Sequence, residues 1–353
     1  MTLSRTDIQR VDPKGMYQCI LDFPKQAEEA VHIGNRASVK LNTKGLANIV
    51  LTGLGGSAIG GDLLRSYLSD ELQFPFVVNR HYVLPDFVGH KSLVIVSSYS
   101  GDTEETIAAY KDAIKRKAKV LCISTGGEVK KMSAKHKHPC IQIPGGLQPR
   151  AALGYSFFPL LMTLGKVGII GPKTKEIGET LRLLREIASE YGNPELESNG
   201  PLRLAEGLRG KLPVIYSPTE YLDAVNVRWR GQIAENAKQL AFGHVFPEMN
   251  HNELVGWNVL KDLMKQTHVV VLRDKATHKR IALREEITEQ ILRQHTSNLT
   301  EVWSRGKSLL ARMFSLVHFG DWVSFYLAIL NNQDPEPVQV INYLKSELAK
   351  VRP

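Results

Sequence analysis

The chain has few cysteines and no obvious targeting segment. Its 353 residues contain only Cys19, Cys122 and Cys140, and an odd, sparse set does not build a disulfide framework. The first 20 residues contain no continuous apolar run of the kind found in a secretory signal. We see no segment approaching the roughly 20 apolar residues that cross a bilayer. These absences predict a cytoplasmic protein without a membrane-spanning segment.

Charge is only mildly unbalanced. The net charge is +9, and a positive field attracts anionic small molecules, phosphate polymers or acidic membranes. The basic stretches 111–120 and 128–138 contain no interleaved aromatic platform of the kind that binds single-stranded nucleic acid. We therefore interpret them as solvated helix faces and expect neither nucleic acid nor a membrane as a partner.

Short apolar, β-branched runs alternate with helical patterns along the chain. In the first half these runs are NIVLTGL, FPFVV, SLVIVSS, KVLCIS and CIQI, and in the second half LPVIYS, HVVVLRD and LTEVWS. Continuous apolar strands alternating with helices indicate parallel sheets buried on both faces, joined by right-handed crossovers. The sequence thus predicts an α/β fold made of two doubly wound units, each with a central parallel sheet flanked by helices.

The boundaries of the units follow from turn formers. The stretch YGNPELESNGP at 191–201 is rich in them, and the helical pattern over 151–191 is broken at 168–172. We predict an N-terminal segment plus first unit over 1–165 and a helical linker over 166–200. The second unit, with a C-terminal helical tail, covers 201–353. Helices are expected over 219–240, about 279–294, and 309–331.

A glycine-rich loop, TGLGGSAIGGD at 52–62, follows the first apolar run and opens a helix. The backbone amides of Gly55 and Gly56 at a helix start, with the Ser57 hydroxyl, favour an anion. A dinucleotide fingerprint would need a carboxylate at the end of the second strand, and Arg80 there leaves only NADP open. A tight turn without a ligand is the third interpretation.

A second polar turn, SSYSGDTEET at 97–106, follows the third strand. Loops at the carboxyl ends of parallel strands share one edge of the sheet, where ligands bind. This turn and the glycine loop would therefore offer amides and hydroxyls to one phosphate without a lysine. The alternative is a capped helix start at Asp102 or Thr103, and both can hold together. The hydroxyls concerned are Ser57, Ser98, Ser100 and Thr103.

The pattern of His136, His138 and Cys140 alternates in a way that could gather metal ligands. A fourth ligand at zinc spacing is missing and Pro139 interrupts the run. We therefore expect no metal.

The motifs GLGGSAIGGDLL and SSYSGDTEET resemble the SIS (sugar isomerase) domain, and two later segments narrow the resemblance. These are RWRGQIAENAKQLAFGHVFPEMNHNELVGW at 228–257 and DPEPVQVINYLKSELAK at 334–350. Together they resemble the bifunctional phosphoglucose/phosphomannose isomerase family over most of the chain. The resemblance implies two SIS subdomains, hexose 6-phosphate substrates, no cofactor or metal, and a homodimer with its active site at the subunit interface. Ala58 and Asp102 depart from the family pattern, and Asp102 puts a negative charge near the proposed phosphate.

An aldose–ketose isomerase moves a proton between C2 and C1 through an enediol, which requires a base and a cation for the oxyanion. By resemblance, Glu235 is the base and Arg150 the cation. From position alone, Glu235 would be an exposed glutamate, about 125° from the apolar stripe of its helix, and Arg150 a solvated loop charge. The stripe consists of Leu222, Val225, Trp229 and Ile233.

The resemblance also assigns His251 to ring opening, reaching the neighbouring subunit's site, and Lys345 to contact with the sugar. From local pattern, Asn250 and Glu253 form the capping box of a helix start, which would make His251 incidental. A lysine on a terminal helix is usually exposed to solvent, and we interpret Glu336 and Pro337 as the entry to that helix.

The sequence thus predicts interconversion of glucose 6-phosphate, and of mannose 6-phosphate, with fructose 6-phosphate. Two alternatives remain open at this point. One is a non-catalytic SIS-type sensor of sugar phosphates, and the other is an amino-sugar phosphate isomerase. The amino-sugar alternative has less support, because we find neither an N-terminal cysteine nucleophile nor a glutaminase-like domain in this sequence.

Overall fold

The computed structural model describes residues 3–351 and begins with three helices that sequence patterns did not predict. They are α1 (Arg5–Val11), α2 (Met16–Leu21) and α3 (Phe23–Arg36). A capping box starts α1, because the Ser4 hydroxyl accepts from the Asp7 amide while the Asp7 carboxylate accepts from the Ser4 amide. Helix α3 buries one face, including Phe23, Ala27 and Ala30, in the core.

The first unit is a five-stranded parallel sheet, as predicted. Its elements are β1 (Asn48–Thr52), α4 (Gly55–Tyr67), β2 (Phe76–Asn79), β3 (Ser92–Ser97), α5 (Glu104–Lys115), β4 (Lys119–Ser124), α6 (Gly127–His136) and β5 (Cys140–Gln142). The strand order is β2-β1-β3-β4-β5. Strand β2 is therefore added on one side of β1, and β3 to β5 are added on the other side. The carboxyl ends of β1 and β3 therefore form the switch point where such sheets bind ligands.

Three helices lead from the first sheet to the second. They are α7 (Leu153–Lys166), α8 (Thr174–Tyr191) and α9 (Gly200–Leu208). The break between α7 and α8 lies where the glycine–proline stretch predicted it. Helix α7 is buried along most of its length and packs against α3 and α4. Helix α3 is thereby attached to the first unit, whereas α1 and α2 also contact α13 (Leu309–Leu330), described below.

The second sheet has four parallel strands in the order β7-β6-β8-β9. Its elements are β6 (Leu212–Pro218), α10 (Asp223–Ala237), β7 (Phe242–Phe246), α11 (Lys261–Lys265), β8 (Thr267–Arg273), α12 (Lys279–Leu292), β9 (Leu299–Trp303), α13 (Leu309–Leu330) and α14 (Gln339–Leu348). Sequence patterns missed β7, since this half-exposed edge strand contains Gly243 and His244 and no continuous apolar run. The predicted helix over 219–240 is shorter because Lys238, with φ of 55°, ends it in the left-handed region.

Helix α13 is the central helix of the second unit and corrects one expectation. It is long and apolar enough to cross a bilayer, with 22 residues and a mean hydropathy of 1.4 over its most apolar window. However, 89% of that window is buried inside the protein, where α13 packs against α8, α9 and α10. Trp229 of α10 stacks on Phe319 with ring centroids 5.8 Å apart and donates to the Leu316 carbonyl at 2.8 Å. The apolar side chains of α13 therefore form part of the protein core.

The segment 247–260 differs from its predicted helix start. It forms two 3-10 turns, Glu248–His251 and Glu253–Asn258. The side-chain amide of Asn250 donates to the Thr288 hydroxyl at 2.7 Å, and the Glu253 amide is capped by Asn252 instead. The capping box expected from Asn250 and Glu253 is therefore wrong, because Asn250 lies inside the first turn and Asn252 caps the second.

Candidate active site

The glycine loop connects β1 to α4, and its closest contact explains why glycine is required at position 56. A Cβ added to Gly56 would lie 2.3 Å from the carbonyl oxygen of Pro149, so no other residue fits this approach of two backbones. Gly55 has a φ of +52°, which also favours glycine. The amides of Gly55 and Gly56 occupy the first helical positions, where no carbonyl of the helix accepts from them. With the helix dipole, they form a site suited to an anion.

The serine-rich turn after β3 lies against this loop. The Ser57 hydroxyl accepts from the Tyr99 amide at 2.9 Å, and Ser97 donates to the Ser57 carbonyl at 3.2 Å. The hydroxyls of Ser98 and Thr103 are 3.1 Å apart. The exposed Ser100 hydroxyl accepts from the Asp102 amide at 3.2 Å. The fold thus places the serine-rich turn beside the glycine loop, because Ser57 contacts Tyr99, which stands between Ser98 and Ser100.

The two departures from the family pattern are accommodated. The Asp102 carboxylate accepts from the Glu128 amide at 2.9 Å, at the start of α6. Its negative charge therefore stabilises the positive end of that helix dipole. Ala58 is fully buried, with a relative exposure of 0%. Its methyl group consequently lies in the core, away from the solvent-facing side of the loop.

Arg150 lies in a 3-10 turn, Pro149–Ala151, after β5, and it is not the solvated charge that its position alone would give. Its side chain is only 4% exposed. Its Nε donates to Asn236 Oδ1 at 2.7 Å, and its Nη2 donates to the carbonyls of Pro335 and Glu336 at 2.7 and 2.8 Å. Burial lowers the pKa of Arg150, while Glu235 and Glu336 act in the opposite direction. The guanidinium stays charged, since arginine does not deprotonate in proteins.

Glu235 faces this arginine from the last turn of α10. Its carboxylate lies 3.4 Å from Arg150 Nη1, and its side chain is 35% exposed. It lines a cavity of about 810 Å³ together with Lys238, Asp334 and Ile341. A carboxylate with both solvent access and a buried cation beside it can exchange protons with a bound substrate.

A buried network of polar side chains lies beside the Arg150–Glu235 pair. The amphipathic pattern of α10 did not predict this network. Arg228 binds Asp321 of α13 through two hydrogen bonds of 3.0 and 2.8 Å, and also donates to the Arg150 carbonyl at 3.1 Å. Asn236 donates to Ser324 at 2.9 Å. Helix α10 is therefore buried on its polar side as well, because α13 presents matching polar groups.

His251 and Lys345 lie apart from this network within one chain. His251 is exposed in its 3-10 turn, and Lys345 is exposed on α14, a helix with no buried residue. Across the described part of the chain, neither side chain has a hydrogen-bond or ion-pair partner. The structure thus brings Glu235 to Arg150, whose loop approaches Gly56, and leaves the side chains of His251 and Lys345 exposed to solvent.

Two residues of this region were missed from sequence. Lys238 donates to the Glu235 and Pro335 carbonyls at 2.7 and 3.1 Å. Glu336 lies in the segment that leads into α14, which starts at Gln339, as its interpretation as helix entry implied, but its contact with Arg150 was not anticipated. Its carbonyl accepts from Arg150. The prolines on either side of Glu336 were the available signal that the chain is extended there.

Comparisons with known proteins show similarity along nearly the whole chain. The model of the bacterial phospho-glucose isomerase C-terminal SIS domain matches residues 197–348. A bifunctional phosphoglucose/phosphomannose isomerase of Caldicellulosiruptor bescii is 45% identical, over 96% of this chain and 100% of that protein. The enzyme of the same name from Thermoplasma acidophilum is 37% identical, over 86% of this chain and 90% of its own length.

Solved structures share the fold at low identity. A hypothetical protein from Thermus thermophilus aligns with a TM-score of 0.71 and 16% identity, covering 98% of this chain and 94% of its own. A glucose-6-phosphate isomerase like protein from the same organism aligns at 0.62 with 21% identity, covering 94% and 96%. At such identity these structures show the α/β double-sheet fold alone. On the strength of its similarity to relatives along nearly its whole length, the chain belongs to the bifunctional phosphoglucose/phosphomannose isomerase family.

Proposed function

We propose that the protein interconverts glucose 6-phosphate, and mannose 6-phosphate, with fructose 6-phosphate through a cis-enediol. The observation that carries this proposal is the Glu235 carboxylate 3.4 Å from the buried Arg150 guanidinium, on a loop that contacts the glycine turn through Pro149 and Gly56. The names of the curated relatives support the same substrates.

In the proposed reaction the substrate phosphate binds the amides of Gly55 and Gly56 and the neighbouring hydroxyls. Glu235 removes the proton from C2 of the aldose and returns it to C1, while a proton passes from the C2 hydroxyl to the C1 oxygen. Arg150 stabilises the negative charge that develops on the enediolate oxygen. Bonds and electrons balance within the sugar, so the reaction needs no cofactor.

Ring opening and assembly complete the proposal. His251 of a second copy of the chain donates a proton to the ring oxygen, and Lys345 contacts the sugar and helps in ring opening. The support is that both side chains are exposed and that α14 leaves Val340, Tyr343 and Leu344 exposed as well, at 82%, 66% and 57%. A homodimer would cover such a surface. We place this enzyme in the cytoplasm, where hexose phosphates occur and where its free thiols would persist.

The test is a coupled assay with fructose 6-phosphate, run beside one with mannose 6-phosphate. We expect turnover of both substrates, and a loss of about 10³-fold in kcat for Glu235→Gln, since the amide cannot accept the proton. Glu206→Gln, an exposed glutamate on α9, is the matched control. Full activity of the Glu235→Gln variant would remove the central step. Tight binding of both sugars without any turnover would instead favour the sensor.

A further inference from the structure

The segment between α13 and α14 holds the catalytic arginine through its backbone. Residues 334–337, Asp-Pro-Glu-Pro, are referred to below as the proline strap. The carbonyl of Pro335 accepts from both Arg150 Nη2, at 2.7 Å, and Lys238 Nζ, at 3.1 Å. The adjacent Glu336 carbonyl accepts from the same Arg150 nitrogen at 2.8 Å. With Nε bound to Asn236, only Nη1 of the guanidinium remains directed at Glu235.

The Glu336 side chain anchors the strap at a second point. Its carboxylate accepts from Gln148 Nε2 at 3.0 Å and pairs with Lys14 Nζ at 2.7 Å. Gln148 stands two residues before Arg150, so the strap and the arginine loop are connected both by side chain and by backbone. Lys14 and Gln148 lower the pKa of Glu336, which keeps it ionised.

The strap is stiff by composition. Pro335 and Pro337 each fix their own φ, and the Glu336 amide donates to Asp334 Oδ1 at 2.9 Å. A stiff segment whose one end is held in place also fixes the position of the groups that bind to it. Without the Glu336 side-chain anchor, the strap would lose its ties to Gln148 and Lys14, and its two carbonyls could shift together with the guanidinium that they bind.

We propose that Glu336 is a positioning residue for the isomerisation, fixing through the proline strap the angle at which Arg150 meets Glu235 and the reacting carbons. This inference rests on the proposed function. It concerns a residue that does not line the cavity beside Glu235 and that touches no group of the phosphate loops. Its removal should therefore affect the chemical step more than substrate binding.

The experiment compares Glu336→Ala, Glu336→Gln and the control Glu347→Gln in the fructose 6-phosphate assay, with thermal unfolding of each variant. Glu347 is a matched glutamate because it also pairs with a lysine, Lys350, at 2.7 Å. We expect Glu336→Ala to lose about 10- to 100-fold in kcat, with KM changed less than twofold, since small displacements of a reacting group are costly. Glu336→Gln should recover most of the activity, because it keeps a contact with Gln148 and loses only a partly exposed ion pair.

A double-mutant cycle with Arg150→Lys separates positioning from general destabilisation. If Glu336 acts through Arg150, the effect of Glu336→Ala on kcat should largely disappear in the Arg150→Lys background. Additive effects, an unchanged kcat, or a kcat loss that only follows the unfolded fraction would each overturn the inference. If the wild type is active but the Glu336 variants give one of these contrary results, the inference fails and the proposed function stands. A wild type without isomerase activity would overturn both the proposed function and the inference.

Discussion

The Arg150 guanidinium and the Glu235 carboxylate lie 3.4 Å apart although 85 residues separate them in the chain. One comes from the loop after the first sheet and the other from the helix after the first strand of the second sheet. Their meeting joins the two units at the proposed site of proton transfer. An arginine that is 4% exposed beside a carboxylate that is 35% exposed gives a fixed cation and an accessible base.

In the proposed homodimer, the exposed His251 acts in the partner's site, and subunit complementation tests this role. Co-expressed Glu235→Gln and His251→Ala chains should recover about a quarter of wild-type activity, because half of randomly formed dimers would contain one intact site. Arg150 and Glu235 meet within one chain. A mixture of Glu235→Gln and Arg150→Lys chains, the control, should therefore recover none. Equal activity of the two mixtures would contradict the shared site.

Ser100 allows a test of phosphate binding by the serine-rich turn. Because its side chain is exposed, its replacement should change the fold little. We expect Ser100→Ala to raise KM for fructose 6-phosphate about tenfold, the loss of one hydrogen bond to a charged group. The value of kcat should stay near that of the wild type. Ser69→Ala, which removes another exposed hydroxyl, should leave both constants unchanged. A KM for Ser100→Ala equal to that of Ser69→Ala would place the phosphate elsewhere.

The buried pair Arg228–Asp321 should be necessary for stability. Asp321→Ala leaves an uncompensated guanidinium in the core and is expected to lower the free energy of unfolding by about 3–5 kcal/mol. Because Arg228 also donates to the Arg150 carbonyl, activity should fall with it. Urea unfolding measures the first effect. In Asp262→Ala, which removes an exposed pair with Lys265, the change should stay below about 1 kcal/mol; similar losses in both variants would refute the argument.

A cluster of acidic side chains around Arg273 predicts a pH dependence of stability. Arg273 Nη1 lies 3.1 Å from Glu285 and 3.5 Å from Glu289, and its Nε lies 3.4 Å from Glu301. Burial raises the pKa of Glu285 to about 8, and burial together with Glu301 raises that of Glu289 to about 7. The folded state therefore binds more protons than the unfolded chain, and stability is lost as the pH rises through these values.

The informative window for this effect is pH 6.5 to 8. His138, His268 and His318 have pKa values lowered by burial, so they act in the opposite direction, but they do so below their ordinary value of 6.5. Urea unfolding of the wild type should show a falling free energy across the window, with a limit of about 1.4 kcal/mol per pH unit for each proton. Glu285→Gln should flatten the slope and Glu206→Gln should not. An unchanged slope in Glu285→Gln would assign the dependence to other groups.

Local patterns were sufficient for most of the secondary structure. The run KVLCIS is strand β4 with the same bounds, and the helix expected over 309–331 is α13. Strand β7 was missed because an edge strand needs no continuous apolar run. The helix start expected at Asn250 was wrong because Asn250 lies inside a 3-10 turn, where its side-chain amide donates to Thr288, 38 residues away. A local motif contains no information about such a partner.

The sequence by itself determined the alternation of buried strands with helices and the two polar loops after β1 and β3, because periodicity and turn chemistry are properties of neighbouring residues. Only the tertiary structure decided that Arg150 is buried, that the chain around Glu336 holds it, and that the polar face of α10 meets Asp321. These depend on contacts between segments distant in the chain. Their energies come from desolvation and hydrogen bonding, which no local pattern records.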